Sequence, residues 1–162
     1  MEAKLLAELY ARYAKSAYLY TLSLCSNRET AQDIVSEAFE KAFLAPEKNG
    51  HFQYWLLAVC RNLWIDMLRK NKRRADAPLP DIPSEDTAET QLLARERREI
   101  VLACLMTLPP RCREILTLHY YAELPLGEIA ALMGISPGNA KTLICRARAK
   151  LKTVLEEQDY EF

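Results

Sequence analysis

The chain has 162 residues and is 50% hydrophobic, which is enough apolar material for one large or two small packed domains and excludes a disordered tail. Its 22 basic and 22 acidic residues give a formal net charge of zero, so the charge of the whole chain does not indicate a nucleic-acid partner. No apolar run approaches membrane-spanning length, and the amino terminus lacks the pattern of a signal peptide, so a soluble cytoplasmic protein is predicted.

The first two predicted helices have apolar faces, and the second also carries an acidic stripe. A helix is predicted from about Glu2 to Cys25, and Ser26 with Glu29 forms a capping box that predicts the start of the next. Apolar residues of the second helix, up to Phe43, recur at helical spacing and are predicted to be buried. Its opposite side carries, besides Glu29, the acidic residues Asp33, Glu37 and Glu40. Like charges one turn apart repel, so the stripe fits either a solvated face or a surface that meets a basic partner.

A third helix is predicted from about His51 to Lys72, after a break at Asn49-Gly50. One of its sides has polar residues at helical spacing, namely Asn62, Asp66 and Arg69. Six basic residues lie between Arg61 and Arg74, against a single acidic one. The last turn and its continuation carry most of them, including Lys70, Lys72 and Arg73. Cations suit the carboxyl end of a helix, but this number exceeds what capping requires, so the run predicts a surface that contacts phosphates.

The composition changes at Asp76, where the segment DAPLPDIPSED has three prolines and four acidic residues. Such a segment can form neither a helix nor a core. We therefore predict a flexible acidic linker over residues 75–86, between an amino-terminal domain of residues 1–74 and a carboxy-terminal domain of residues 87–162. No strand pattern occurs, so the predicted fold is all-α, with two small helical domains.

The carboxy-terminal domain opens with a charged helix from about Thr87 to Met106 and is predicted to end in a helix-turn-helix. Leu126–Met133 has helical periodicity, Gly134 supplies a left-handed stop, and Ser136 followed by Pro137 begins the last helix. The apolar seam of that helix is Ala140, Ile144, Ala147 and Leu151. Its first turn and outward side carry Ser136, Asn139, Lys141, Thr142, Arg146 and Arg148. A DNA-recognition helix needs this combination of a fixed seam and outward donors, although a solvated helical hairpin would show the same charges.

The sequence does not indicate a metal, a cofactor or an active site. The five cysteines are scattered without a close pair and are predicted to be reduced, mostly buried thiols. The only histidines, His51 and His119, are not at metal-ligand spacing from a cysteine. The polar residues form surface stripes rather than a convergent acid, base and nucleophile, so an enzyme is not predicted.

Three motifs in this order make the chain resemble the extracytoplasmic-function sigma factors, the smallest class of specificity subunits of bacterial RNA polymerase. The region two helix that docks on the polymerase clamp is similar to AQDIVSEAFEKAF. The helix that reads and melts the minus-ten element is similar to FQYWLLAVCRNLWIDMLRKNKRR. Region four, which binds the minus-thirty-five element, is similar to LPPRCREILTLHYYAELPLGEIAALMGISPGNAKTLICRARAKLK. The resemblance covers nearly the whole chain.

The resemblance implies a role for each polar surface. The residues that would bind the polymerase clamp are Asp33, Glu37 and Glu40. Those that would bind minus-ten DNA are Asn62, Asp66, Arg69, Lys70, Lys72 and Arg73. Those that would bind minus-thirty-five DNA are Ser136, Asn139, Lys141, Thr142, Arg146 and Arg148. The implied partners are core RNA polymerase, promoter DNA and an anti-sigma factor. Leu143 stands where family members commonly have arginine, so recognition of the upstream element is expected to differ.

A second hypothesis is a conventional helix-turn-helix regulator that binds an operator as a dimer and senses a ligand through its amino-terminal domain. It predicts a dimer and tight binding to duplex DNA without polymerase. The sigma-factor hypothesis instead predicts new transcription start sites that depend on core polymerase.

Overall fold

A computed structural model describes residues 3–45, 51–73 and 93–158, with backbone only at residues 73 and 93–96. Within these ranges the chain forms seven helices and no strand, which confirms the all-α prediction. The helices are α1 (Ala3–Cys25), α2 (Arg28–Leu44), α3 (Phe52–Arg73), α4 (Leu93–Met106), α5 (Pro110–Tyr120), α6 (Leu126–Met133) and α7 (Pro137–Glu157). The predicted linker and the predicted start of the fourth helix at Thr87 lie outside the described residues.

The junction of α1 and α2 differs by one residue from the predicted capping box. Ser26 has a left-handed φ of 54°, and its amide donates to the Leu22 carbonyl at 2.8 Å, so this residue closes α1. Asn27 is the N-cap of α2, because its Oδ1 accepts a hydrogen bond from the Thr30 amide at 2.9 Å. The prediction that Ser26 caps α2 with Glu29 was wrong because the backbone at Ser26 already serves the carboxyl end of the preceding helix.

The amino-terminal helices α1, α2 and α3 pack around a core of aliphatic and aromatic side chains. Ile34 and Leu56 are almost fully buried there. The Phe39 ring lies 4.9 Å from the Tyr10 ring and 6.1 Å from the Phe52 ring, measured between centroids. Tilted aromatic contacts at these distances stabilise a core beyond the area they bury. They fix α3 against the other two helices and thereby orient its polar side.

The helix-turn-helix forms as its local signals predicted. Gly134 has φ 70° and ends α6, while the Ile135 amide donates to the Ala130 carbonyl at 3.0 Å. The Ser136 hydroxyl then accepts a hydrogen bond from the Asn139 amide at 3.1 Å and caps α7. Both predicted boundaries are confirmed. The seam of α7 is also confirmed, since Ala140 and Ala147 are fully buried.

The amino-terminal and carboxy-terminal helices form one continuous hydrophobic core. α1 packs against α5, and α3 contacts α6, an arrangement that the two-domain sequence pattern did not predict. Cysteine burial follows the prediction at four positions, whereas Cys145 on α7 is exposed. Among the helices described, none is long and apolar enough to cross a membrane.

Gly134→Ala is expected to lower the free energy of unfolding by about 1–2 kcal/mol, because an L-residue resists a left-handed backbone. An added Cβ would meet no atom within 4 Å, so the cost is conformational. Gly127→Ala in α6 is the matched control: its Cβ also enters open space, and alanine in a helix is expected to raise the free energy of unfolding by about 0.5–1 kcal/mol. Urea unfolding followed by circular dichroism measures both free energies of unfolding. The prediction is contradicted if the two substitutions change the free energy of unfolding in the same direction.

Candidate nucleic-acid interface

The outward face of α7 presents polar and basic side chains to solvent. Asn139, Lys141, Thr142 and Arg146 are all exposed. Two hydroxyls of this region have structural partners: Ser136 caps the helix, and Thr142 donates to the Gly138 carbonyl at 3.1 Å. The Thr142 hydroxyl uses its proton in this bond and can still accept hydrogen bonds from a ligand. One lone pair of the Ser136 hydroxyl is already used by the Asn139 amide. The structure therefore places the predicted residues along α7, and it leaves Thr142 freer than Ser136 to accept a hydrogen bond from a ligand.

Arg148 lies on the flank of α7 that faces α5. Its Nε donates to the Tyr120 hydroxyl at 2.7 Å, and one of its terminal nitrogens lies 2.9 Å from His119 Nε2. The guanidinium carbon is 5.6 Å from the centroid of the Tyr120 ring, within cation–π range. The His119 and Tyr120 rings meet edge to face at 4.7 Å. These contacts hold the Arg148 guanidinium in one orientation. Two of its five N–H donors are used, and three remain for an external acceptor.

His119 and Tyr120 were not singled out from the sequence as functional residues. Burial lowers the pKa of His119 below its usual value of 6.5, and the positive charge of Arg148 lowers it further. The imidazole is therefore neutral near pH 7, and its Nε2 accepts the hydrogen bond from Arg148. The contact joins residues 29 positions apart, and helical periodicity carries no signal for such a pair.

The polar side of α3 is open to solvent. Asn62, Asp66, Arg69, Lys70 and Lys72 are all exposed, whereas at position 73 only the backbone is described. The Asp66 carboxylate lies 3.7 Å from Arg69 Nη1, one turn away. An exposed pair of this kind contributes only about 0.3–0.5 kcal/mol, so it does little to prevent either side chain from binding another partner.

The acidic stripe of α2 adjoins an apolar groove. Asp33, Glu37 and Glu40 are exposed, and Glu40 also lines a groove of about 510 Å³ between α1 and α2. Phe43 and Leu44 on its rim are 46% and 82% exposed. The prediction that Phe43 is buried was wrong, because this last turn of α2 lines an open groove instead of the core. Exposed apolar residues beside carboxylates are typical of a surface that binds another protein.

A buried carboxylate connects the two groups of helices. Oε2 of Glu114 on α5 accepts hydrogen bonds from the Tyr20 hydroxyl at 2.6 Å and from Arg61 Nε at 2.9 Å. Glu114 is only 5% exposed and Tyr20 is fully buried. Burial raises the pKa of Tyr20 well above its usual value, and the charge and hydrogen bond of Glu114 raise it further. Burial opposes the charged form of Arg61, but Glu114 outweighs it and the pKa of Arg61 is raised.

Two further polar contacts cross between the same groups of helices. Arg113 Nε donates to the Ser23 carbonyl at 3.0 Å, which satisfies a carbonyl in the last turn of α1. His51 Nδ1 lies 3.4 Å from a carboxylate oxygen of Glu128 on α6. Both contacts join residues far apart in the chain, so helical periodicity does not indicate them. Across residues 3–45, 51–73 and 93–158, no group of three or more histidine, cysteine or acidic side chains could hold a metal ion.

Arg148→Ala is expected to raise the pKa of His119 towards its ordinary value, because it removes a nearby positive charge and opens the ring to water. In the wild-type chain the folded state binds this proton more weakly than the unfolded state. The stability that neutral His119 contributes is therefore present above about pH 6.5 and is lost as the pH falls below it. NMR titration of the imidazole gives the pKa directly. Lys152→Ala, which removes an equal charge on the same flank of α7, is the control, and an unchanged pKa in Arg148→Ala would refute the assignment.

Comparison with known proteins identifies both groups of helices. A family model described as sigma-70 region 2 matches residues 9–74, and one described as sigma-70 region 4 matches residues 98–151. The ECF RNA polymerase sigma factor SigM of Bacillus subtilis is 31% identical over 151 residues, which cover 91% of this chain and 93% of that protein. SigE of Mycolicibacterium smegmatis, also an ECF sigma factor, is 30% identical over 95% of this chain, which spans 63% of that longer relative.

Among solved structures, the sigma factor RpoE of Bartonella quintana, crystallised with the anti-sigma factor NepR, superposes with a TM-score of 0.75. The match covers 95% of this chain and 98% of that chain at 23% sequence identity, and it supports the fold. Both region models occur in the expected order, and the similarity to SigM spans nearly the full length of both proteins. The chain therefore belongs to the extracytoplasmic-function sigma factors, the transcription initiation factors that direct core RNA polymerase to specific promoters.

Proposed function

We propose that this sigma factor works through three separate surfaces and has no active site of its own. The proposed units are residues 1–74, which dock on polymerase and open the minus-ten element, a linker of residues 75–86, and residues 87–162, which bind the minus-thirty-five element. The observation that carries the proposal is the exposed polar face of α7, held on a buried apolar seam within a helix-turn-helix. Because its template is chromosomal DNA, we propose that the protein acts in the cytoplasm.

In the carboxy-terminal domain, the proposed reading surface is the first half of α7. Asn139, Lys141, Thr142 and Arg146 are exposed there, and side chains of these types bind base edges and phosphates in a major groove. The guanidinium of Arg148, held against α5 by Tyr120 and His119, is proposed to contact a flanking phosphate. Ser136 is proposed to act mainly through the position it gives α7, since its hydroxyl caps the helix.

In the amino-terminal domain, the proposed minus-ten surface is the polar side of α3 and its basic end. Asn62, Asp66 and Arg69 provide donors and acceptors for exposed base edges. The basic end of the helix is proposed to follow the phosphates of the separated strands, through Lys70, Lys72 and Arg73. The exposure of Lys70 and Lys72 supports this proposal, since backbone binding needs cations that solvent can reach.

The proposed docking site for core polymerase is the acidic stripe of α2 with its apolar groove. Asp33, Glu37 and Glu40 would attract a basic clamp surface, and Phe43 would bury its exposed ring on binding. We also propose an anti-sigma factor as a partner. The Bartonella quintana relative was solved with such a factor, and the apolar groove beside α2 offers the kind of surface that a regulatory helix can occupy.

Promoter-dependent transcription tests the proposed function. Core polymerase is incubated with a library of genomic fragments, with and without this protein. New start sites that share two upstream elements at fixed spacing are expected only when the protein is present. Tight duplex binding by the protein alone, as a dimer and without new start sites, would instead support a conventional helix-turn-helix regulator.

Reversal of Asp33, Glu37 and Glu40 to lysine is expected to abolish binding to core polymerase, because like charges across an interface repel. The side chains are exposed, so both domains should stay folded by circular dichroism. Reversal of Glu156 and Glu157, exposed near the end of α7, is the control and should leave the affinity for polymerase unchanged. Surface-immobilised polymerase measures the binding, and undiminished affinity of the triple variant would remove α2 as the docking site.

Arg146→Ala is expected to weaken binding to the preferred minus-thirty-five sequence by about 1–3 kcal/mol, as loss of a good base contact does. Binding to unrelated duplexes should change little. The comparison is Lys150→Ala, which is expected to weaken binding to all sequences alike and to reduce the salt dependence, as loss of a phosphate contact does. Fluorescence anisotropy at several salt concentrations separates the two cases. A uniform loss for Arg146→Ala would mark Arg146 as a phosphate contact.

A further inference from the structure

Three side chains from both domains meet at one buried oxygen. Tyr20 lies on α1, Arg61 on α3 and Glu114 on α5. Tyr20 and Arg61 each donate a hydrogen bond to the same carboxylate oxygen of Glu114. Neither the promoter-binding surfaces nor the polymerase-docking stripe uses Tyr20 or Glu114. We call the cluster of Tyr20, Arg61 and Glu114 the interdomain latch.

The chemistry of the interdomain latch favours a contact that can open. A buried carboxylate is stable only while its donors stay in place, and loss of either one leaves a poorly solvated charge. When the domains separate, water replaces each partner, so the open form carries no such penalty. Further polar groups are buried on the same stretch of α1: Thr21 and Ser23 are fully buried, and Arg113 Nε donates to the Ser23 carbonyl across the interface. Interfaces between domains that move are more polar than domain cores.

The closed chain is too small to contact both promoter elements at once. A compact chain of 162 residues has a radius of gyration of about 15 Å and hence a diameter of about 40 Å. The minus-ten and minus-thirty-five elements lie about 25 base pairs apart, which is roughly 85 Å along straight duplex DNA. With α1 packed on α5 and α3 on α6, the polar sides of α3 and α7 belong to one compact body that cannot span this distance.

We propose that the interdomain latch holds the free sigma factor closed, and that it must break before α3 and α7 can engage both promoter elements of one duplex. Chain connectivity permits the separation, because the 19 residues of segment 74–92 span up to roughly 65 Å when extended. Two independently placed domains add their own widths to that reach. The latch therefore acts as an autoinhibitory contact of the chain on itself.

The effect of the latch on transcription rests on the proposed function, in which the protein binds core polymerase and both promoter elements. If only the open form binds core polymerase productively, the apparent dissociation constant equals the intrinsic constant divided by the open fraction. A weaker latch is then expected to raise the apparent affinity. The gain ends once the open form predominates, so variants that remove different members of the latch should approach the same limit.

The opening itself can be measured without polymerase, as the distance between two spin labels. Cys145 is an exposed native thiol on α7, whereas the other four cysteines are buried. Burial raises the pKa of Cys60 to about 11, which keeps that thiol unreactive at neutral pH. Lys41→Cys on the exposed side of α2 supplies the second label. Double electron–electron resonance on the full chain then reports the separation between the domains.

The test variants are Glu114→Gln, which removes the charge, and Tyr20→Phe, which removes one donor and keeps the ring. The wild-type chain is expected to give one narrow, short distance, and both variants a broad distribution shifted to longer distances. Glu123→Gln, an equal charge change on an exposed residue of the same domain, should match the wild type. Circular dichroism checks folding, and Tyr20→Phe decides the matter if Glu114→Gln unfolds. A wild-type distribution that is already broad, or folded variants that stay narrow, would overturn the latch.

The polymerase arm of the experiment uses unlabelled chains. Glu114→Gln and Tyr20→Phe are each expected to raise the apparent affinity for core polymerase roughly tenfold, as a tenfold larger open fraction would, while Glu123→Gln leaves it unchanged. Longer distances with unchanged affinity would mean that the latch exists but does not limit polymerase binding, and the autoinhibitory role would be rejected. Absence of polymerase binding by every chain, with the distance shifts intact, would refute the proposed function and leave the latch standing.

Discussion

The packing of α7 on two alanines determines where the proposed DNA-binding surface lies. Ala140 and Ala147 are fully buried in its seam, and side chains this small let helix axes approach closely. α7 therefore rests on both α5 and α6 while its opposite face stays in solvent. The same α5 carries Glu114 on another side, where it meets α1. One short helix thus connects α7 with the amino-terminal helices, so the relative position of the two groups of helices depends on how α5 is held.

The features that could be predicted from the sequence are those set by a few neighbouring residues. A left-handed stop at Gly134 and a cap at Ser136 depend on backbone groups within about four positions, and the residue types state the requirement directly. The exposed stripe of Asp33, Glu37 and Glu40 follows equally from helical spacing, because carboxylates on an amphipathic helix face water. The motif resemblance then gave these surfaces their functional assignment, which spacing alone had left open between a solvated face and a binding face.

The features that could not be predicted depend on pairs far apart in the chain or on where a neighbouring element ends. Glu114 is 94 positions from Tyr20 and 53 from Arg61, and nothing in the helical pattern distinguishes it from a solvated glutamate. Phe43 has the spacing of a core residue, but the packing partners of α2 do not continue over its last turn. At Ser26 two local rules competed, and closure of α1 prevailed over capping of α2.

The contact of Arg148 with Tyr120 and His119 has a consequence for the entropy of binding. A free arginine side chain loses about 2 kcal/mol of rotamer entropy when a ligand immobilises it. Arg148 has already lost much of this freedom on folding, because two hydrogen bonds and a ring contact hold its guanidinium. An anion that reaches its remaining donors therefore meets an ordered partner, and more of the interaction energy appears as affinity. On a helix whose other cations extend into solvent, this one residue provides a rigid reference point for the register of whatever binds there.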